Sequence, residues 1–304
     1  MTDVGTVPED PGDVRSALLD WYERGHREFP WRESEDPYEI LVSEVMSQQT
    51  QLDRIVDPWK EFLDRWPTVE SLARADRSSV VSFWSNASLG YNNRATYLHE
   101  AATLVLEEFD GEIPSSPERL QELPGVGPYT ANAVASFAFN TGDAVVDTNV
   151  ERVLYRAFDL GDDSDRFEAV ARDLMPEGQS RVWNNAIMEL GGVACQKTPR
   201  CDAESCPWRE WCHAYRTGDF TAPDVPEQPE FDGSRRQFRG RIVSRLAERG
   251  SMPVDDLGHR ISVEYSADGR YDREWLCGLL ADLAGDGLVE VTEDDGTTVV
   301  TLRE

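Results

Sequence analysis

The stretch Leu123-Pro124-Gly125-Val126-Gly127-Pro128-Tyr129-Thr130-Ala131 decides the fold. Pro128 suits the first turn of a helix, because its missing N–H would have no helical partner there. Gly125 and Gly127 can take positive φ and let another backbone approach closely. A glycine turn therefore feeds a helix over 128–140. The unpaired N–H groups and the dipole at such a helix start favour an anion such as a phosphate. An ordinary tight turn between helices would use the same glycines, but the full Leu-Pro-Gly-Val-Gly-x-x-Thr-Ala run is far more specific than a lone Gly-x-Gly. Gripping a phosphate on bare backbone needs no basic side chain.

Two carboxylates flank this hairpin. Upstream, Glu44 sits in Ser43-Glu44-Val45-Met46-Ser47-Gln48-Gln49-Thr50. On a helical wheel of 37–50 it falls between Ile40 and Leu41, with Gln48 one turn further on. Val42, Val45 and Met46 cover much of the remainder, so the helix has little polar face to offer a surface glutamate. A carboxyl desolvated in this way has a raised pKa, which suits a general acid. Downstream, about twenty residues past the glycines, Asp147 follows Ala144-Val145-Val146. It precedes a helix with Val150, Val153, Leu154 and Phe158 on one side, and reads as that helix's N-cap. Helix N–H groups favour the charged form of a carboxylate. One protonated and one ionised carboxylate is the division of labour that breaks glycosidic bonds.

Outward from these motifs the chain reads as helix after helix. Apolar spacing predicts helices over 14–24, 37–50, 53–65, 68–75, 77–84, 92–109, 117–122, 128–140, 149–158, 165–174 and 181–194. Phe29-Pro30-Trp31-Arg32 makes a turn. Strand-like alternation is absent, so the first 215 residues read as all-α. Residues 1–13 read as a disordered acidic lead. Residues 217–233 carry three prolines and five acids without periodicity and read as a linker. Beyond it the pattern predicts helices over 235–249, 253–260 and 272–286. Two β-rich runs, Leu288–Thr292 and Thr297–Leu302, surround the turn Asp294-Asp295-Gly296. Three helices and a terminal hairpin suggest a winged-helix-like domain over 234–304. No internal repeat is visible.

Composition adds a constraint. The formal charge is −28, with 58 acidic against 30 basic residues, which taken alone argues against a polyanionic partner. Only two of the basic residues, Lys60 and Lys197, are lysines; the rest are arginines. An acidic, lysine-poor surface is the pattern of a protein bathed in concentrated salt. There the Debye length shrinks to about 3 Å at 1 M, so net charge hardly repels DNA beyond contact distance. No apolar run is long enough to span a membrane. The N-terminus lacks the basic and apolar regions of a signal peptide, so a cytoplasmic protein is expected.

With Glu44, the hairpin and Asp147 in this order, residues 14–215 resemble the helix-hairpin-helix DNA glycosylases of the endonuclease III superfamily. Within it they are most similar to the MutY-type adenine DNA glycosylases. The resemblance implies a six-helix barrel over about 36–145 and an iron–sulfur domain from 14–35 plus 146–216. It also implies flipping of the target base out of the duplex. Bifunctional members carry a lysine where this chain has Tyr129, so a Schiff-base lyase mechanism lacks its nucleophile. Tyrosine here is shared by the adenine enzymes and by archaeal mismatch thymine glycosylases. Gln48, Gln49 and Thr50 resemble the adenine enzymes' wedge into the base stack, where the thymine enzymes tend to have arginines. Further matches are Arg27, Trp31 and Arg32 near the base pocket, and Tyr91, in Leu89-Gly90-Tyr91, as an intercalating side chain. Asn149 and Glu189 match positions that orient water and the adenine edge.

The implied reaction removes adenine opposite 8-oxoguanine or guanine in double-stranded DNA, by a monomer, leaving an abasic site. The alternative on the same fold is a G·T or G·U mismatch glycosylase; a non-catalytic DNA-binding protein would not need both Glu44 and Asp147. Gly125 and Gly127 would contact the backbone, and the resemblance allows a monovalent cation at the hairpin.

Cys195, Cys201, Cys206 and Cys212 are gathered in one short segment. Four thiols without a secretory context suggest metal rather than disulfides. Zinc usually takes two tight pairs; the count and position here favour the family's [4Fe–4S] cluster over zinc, although the first two spacings depart from the family's. Lys197, Arg200 and Arg209 could then touch phosphate. Cys277, at helical spacing from Leu280, reads as a core residue. Residues 231–304 do not resemble the Nudix-like domain with which many relatives read 8-oxoguanine. Six arginines and one acid between 234 and 250 make the first helix of this region a candidate for the DNA backbone.

Overall fold

A computed structural model describes residues 7, 8, 10–142, 144–161, 164–224, 230–294 and 296–304. The molecule is mostly α and divides into two compact units built from interleaved segments. One comprises the chain up to Glu44, Pro114–Glu122 and Val126–Glu227; the other comprises Val45–Ile113, Leu123–Gly125 and Gln228–Glu304.

The first unit contains α1 (Gly12–Arg24), a 3₁₀ turn at Pro30–Arg32, and the beginning of α2 (Pro37–Ser47). It continues with α7 (Pro117–Leu120), α8 (Pro128–Phe139), α9 (Thr148–Phe158), α10 (Ser164–Leu174), α11 (Ser180–Val193) and α12 (His213–Thr217). Its core joins Leu18 and Trp21 of α1 with Leu154 and Phe158 of α9, Trp183 and Ile187 of α11, and Trp208. Trp208 is nearly fully buried, and its indole N–H donates to the Val14 carbonyl at 2.9 Å, so the ring enters the core without stranding its donor. Asn184 of α11 does a similar service. Its Oδ1 accepts from the buried Val145 N–H at 3.2 Å and its Nδ2 donates to Ser136 Oγ at 2.8 Å, tying the strand-like approach to Asp147 onto two helices.

The second unit contains the end of α2, then α3 (Leu52–Arg65), α4 (Val69–Ala73), α5 (Arg77–Asn86) and α6 (Asn93–Glu108). To these it adds α13 (Arg235–Arg249), β1 (Met252–Pro253), α14 (Val254–Ile261), α15 (Arg273–Gly285), β2 (Val289–Asp294) and β3 (Thr297–Leu302). The strands form an antiparallel sheet in the order β1-β3-β2, with Val289 opposite Leu302 and Met252 opposite Val300. Leu276, Leu279, Leu280 and Leu283 line the buried face of α15.

The helices expected from periodicity are present with ends shifted by a few residues. Four differences have physical causes. Helix α1 starts at Gly12, inside the expected acidic lead, whose first six residues lie outside the described part. Helix α2 stops at Ser47 rather than 50, because a buried arginine takes its last carbonyls, as described below. β1 is too short to show alternation. Cys277 is exposed rather than in the core, because the apolar stripe of α15 runs through its neighbours 276, 279, 280 and 283. Asp295 of the expected terminal turn, and 225–229 of the expected linker, lie outside the described residues.

Candidate active site

Glu44 is 7% exposed, near the end of a helix whose other faces carry Ile40, Leu41, Val42, Val45 and Met46, all buried. Burial, followed by the charge of Asp147, pushes its carboxyl up to about 7. At neutral pH it therefore retains a proton for much of the time. Tyr129, on the first turn of α8, is influenced by the same two carboxylates. Burial, then Glu44 and Asp147, raise its phenol well above its usual value, so it remains a neutral hydroxyl.

Asp147 caps α9. Its Oδ1 accepts from the Asn149 and Val150 backbone N–H groups at 2.9 and 2.7 Å, and its Oδ2 from the Asn149 side-chain amide at 2.8 Å. The carboxylate is thus fixed in orientation by its own helix. Asn149 is oriented in turn: Arg152 Nη2 donates to its Oδ1 at 2.8 Å and to the Gly191 carbonyl at 3.0 Å, and Arg152 Nε donates to the Cys195 carbonyl at 2.7 Å. Gly191 is required for this approach, since a Cβ there would lie 2.9 Å from Asn149 Cβ.

The hairpin departs from the expected shape at one glycine: Gly127 has φ −84°, ordinary extended backbone, and a Cβ on it would meet nothing within 4 Å. Gly125 has φ +76°, and a Cβ on it would lie 2.7 Å from Tyr97 Cβ, so both its conformation and its surroundings exclude a side chain. Gly127 is the extended N-cap of α8 and Pro128 the first helical residue. Both glycines are exposed.

Glu189 is 1% exposed and its charge is fully met. Oε1 accepts from the Arg27 backbone N–H and Nε at 3.0 and 2.9 Å; Oε2 accepts from Arg27 Nη2 and Arg32 Nη2 at 3.0 and 2.9 Å. Burial opposes the charge, but the bonds from Arg27 and the field and bond of Arg32 outweigh it and lower the pKa. Glu189 is therefore the hub that holds Arg27 and Arg32, not a carboxylate with an open edge for a base. Trp31 is buried and stacks on Phe29 at 5.1 Å between ring centroids.

Gln48, Gln49 and Thr50 form a turn after α2, with exposed Gln49 in the left-handed region at φ +54°. Arg94, which the sequence reading passed over, organises this turn. It is 6% exposed. Its Nη1 donates to the carbonyls of Val45, Met46 and Gln48, and its Nη2 to those of Leu89 and Gly90 at 2.7 and 3.2 Å. Burial lowers its pKa to about 10, so it remains charged at neutral pH. Its neighbours in the chain, Asn92, Asn93, Ala95 and Thr96, give no local signal of this role. Tyr91 follows in the second turn at φ +43°, 36% exposed.

The cysteine segment adjoins Arg152 and Arg156 of α9. Arg156 Nη1 lies 3.7 Å from Cys195 Sγ and donates to the Gln196 carbonyl at 2.6 Å, and the Cys212 thiol donates to the Arg156 carbonyl at 3.4 Å. Burial raises Cys206 to about 12, with its three companion thiols adding to the rise. The four thiols therefore sense one another beside two guanidinium groups, a donor set suited to a cationic metal or cluster that would hold them as thiolates. As placed, however, no group of three or more His, Cys, Asp or Glu side chains among the described residues could hold a metal ion. Lys197 and Arg200 are exposed, and Arg209 stacks over Tyr215 at 5.3 Å. No described helix is long and apolar enough to cross a membrane.

Residues 42–177 match the family described as HhH-GPD superfamily base excision DNA repair protein. An adenine DNA glycosylase of Mycobacterium tuberculosis (strain ATCC 25618 / H37Rv) is 41% identical over 275 residues, spanning 87% of this chain and 88% of its own. Among solved structures, a thermostable thymine-DNA glycosylase superposes with a TM-score of 0.62 at 28% identity, covering 68% of this chain and 97% of its own. A trapped endonuclease III–DNA covalent intermediate superposes with a TM-score of 0.56 at 25% identity, covering 69% and 99%.

Proposed function

The chain belongs to the HhH-GPD superfamily of base excision DNA repair proteins, with adenine DNA glycosylases among its relatives, and on that premise we propose that it removes adenine mispaired with 8-oxoguanine or guanine. The observation that carries this reading is Glu44, buried, held near neutrality and coupled to Asp147. Glu44 protonates the imidazole ring of the flipped adenine. The glycosidic bond breaks with its electron pair leaving on the base, and Asp147 stabilises the sugar cation. Water oriented by Asn149 adds to the sugar, its proton passes to the Glu44 carboxylate, and an abasic site is left. Tyr129 stands where a lyase would need a lysine, so the enzyme is monofunctional. Removal of thymine from G·T finds less support, since identity to the adenine enzyme is 41% against 28% to the thymine enzyme.

Around this chemistry, Gly125 and Gly127 grip the DNA backbone, Gln48, Gln49 and Thr50 enter the base stack, and Tyr91 inserts beside them. Arg27 and Arg32, held by Glu189, form a wall of the pocket. Cys195, Cys201, Cys206 and Cys212 would hold a [4Fe–4S] cluster, which would supply a cross-link between their loops, and Lys197 in the same segment would meet phosphate. Residues 234–304 form a winged-helix-like domain. The enzyme acts as a cytoplasmic monomer on double-stranded DNA.

The test is base excision in molar salt on duplexes carrying A·8-oxoG, A·G, G·T, G·U or A·T, with alkali to reveal abasic sites. Cleavage at adenine in the first two, only after alkali, is expected. Excision confined to T or U opposite G would move the chain to the thymine branch. Iron and sulfide assays on anaerobically purified protein test the cluster; stoichiometric zinc instead would overturn it.

A further inference from the structure

The six arginines of α13 invite a reading as a DNA-binding stripe, but most are occupied within their own domain. Arg235 and Arg239 pair with Asp282 and Asp286 near the end of α15. Arg241 donates to the Ile261 carbonyl at 2.8 Å, and Arg245 pairs with Glu248. Arg236 points elsewhere. Its Nη1 donates to the Tyr91 hydroxyl at 2.7 Å, and its guanidinium lies 5.6 Å from the Tyr91 ring centre and 5.3 Å from that of Phe231.

Tyr91 lies in a turn of unusual backbone. Ser88, Gly90 and Tyr91 all have positive φ, at +55°, +73° and +43°. A left-handed tyrosine persists only where its surroundings over-determine it. Arg94 does so from inside, through the Leu89 and Gly90 carbonyls and a guanidinium 5.6 Å from the Tyr91 ring. Arg236 does so from outside. Tyr91 and Arg236 line a cleft of about 750 Å³ together with Gln49, Thr50 and Asn92, so the ring is fixed at the edge of a space large enough for a nucleotide.

We propose that Arg236 is a positioning residue for Tyr91, and that the C-terminal domain serves the reaction by holding this side chain ready to enter DNA. The inference rests on the assignment of Tyr91 as a DNA-entering residue. Preorganisation of this kind favours binding by removing the cost of ordering the side chain. Loss of Arg236 should therefore weaken the mispaired duplex in KM rather than in kcat.

The test is a double-mutant cycle in the full-length protein with Arg236→Ala and Tyr91→Phe, read as KM and kcat on an A·G duplex. Arg236→Ala should raise KM about tenfold in the wild-type background and by less than about twofold when Tyr91→Phe has removed the acceptor hydroxyl. Arg236→Lys, which keeps a donor, should recover part of the loss, and circular dichroism identifies any variant that fails to fold. Equal effects of Arg236→Ala in both backgrounds, with a shallower salt dependence of affinity, would make Arg236 a plain phosphate contact and overturn the proposal. Absence of adenine excision by the unaltered protein would instead reject the function on which it rests.

Discussion

Glu44 and Glu189 are both buried glutamates in mostly apolar helices, 7% and 1% exposed, yet their pKa values move in opposite directions. Around Glu44 burial dominates and a second carboxylate adds to it, so the proton is held to about 7. Around Glu189 burial acts in the same sense, but two guanidiniums and a backbone N–H reverse the outcome. Burial alone therefore does not define a general acid. What matters is whether a compensating cation was buried with the carboxylate. Around Glu44 desolvation sets the direction of the shift; around Glu189 the charge holds Arg27 and Arg32 in place.

This contrast can be tested directly. The largest effect expected is on chemistry: Glu44→Gln should lower single-turnover excision by about 10³-fold or more while DNA binding persists. Retained turnover would remove Glu44 from its role. On the opposite side, Arg32→Ala strips Glu189 of a partner whose side chain is only 6% exposed. It should cost about 3 kcal/mol in urea unfolding, because a buried charge is left undercompensated. A loss below about 0.5 kcal/mol would mean that Glu189 is not held as an anion.

The two glutamates also differ in the sign of their pH dependence. Folded Glu44 keeps its proton to about 7, whereas the unfolded carboxyl releases it near 4.5. Folding thus takes up a proton within that window, and stability falls as pH rises through it. Relative to Glu44→Gln, the wild type should lose on the order of 3 kcal/mol between those limits and nothing further above about 7. Glu189, with its pKa lowered, gives the reverse trend: its contribution is present above the unfolded value and lost as pH falls. The smallest effect belongs to Arg27→Ala. That side chain is 36% exposed, so water can replace part of its pairing, and a loss of about 1 kcal/mol is expected by the same unfolding measurement.

The same comparison shows what a linear reading can reach. Glu44 and Asp147 were legible because short-range pattern suffices: an apolar wheel around one, a helix start after the other. The positive φ of Gly125 was legible for the same reason. Glu189 looked equally apolar in context, but its partners Arg27 and Arg32 lie some 160 residues away, and only the fold brings them together. Arg94 was missed on similar grounds, since its acceptors come from 45–48 and 89–90 and no local motif marks a guanidinium that ends one helix and closes another turn. The arginines of α13 were legible as a cluster but not by destination, because their acceptors lie on α15, at Ile261 and at Tyr91.

The most direct test of the account is the pH dependence of single-turnover adenine excision from an A·G duplex in molar salt. Glu44 as a proton donor held near neutrality requires the rate to fall about tenfold per pH unit once pH exceeds about 7. A rate that stays flat or rises from pH 6 to 9 would contradict it and leave Glu44 as a buried carboxyl without a part in the chemistry.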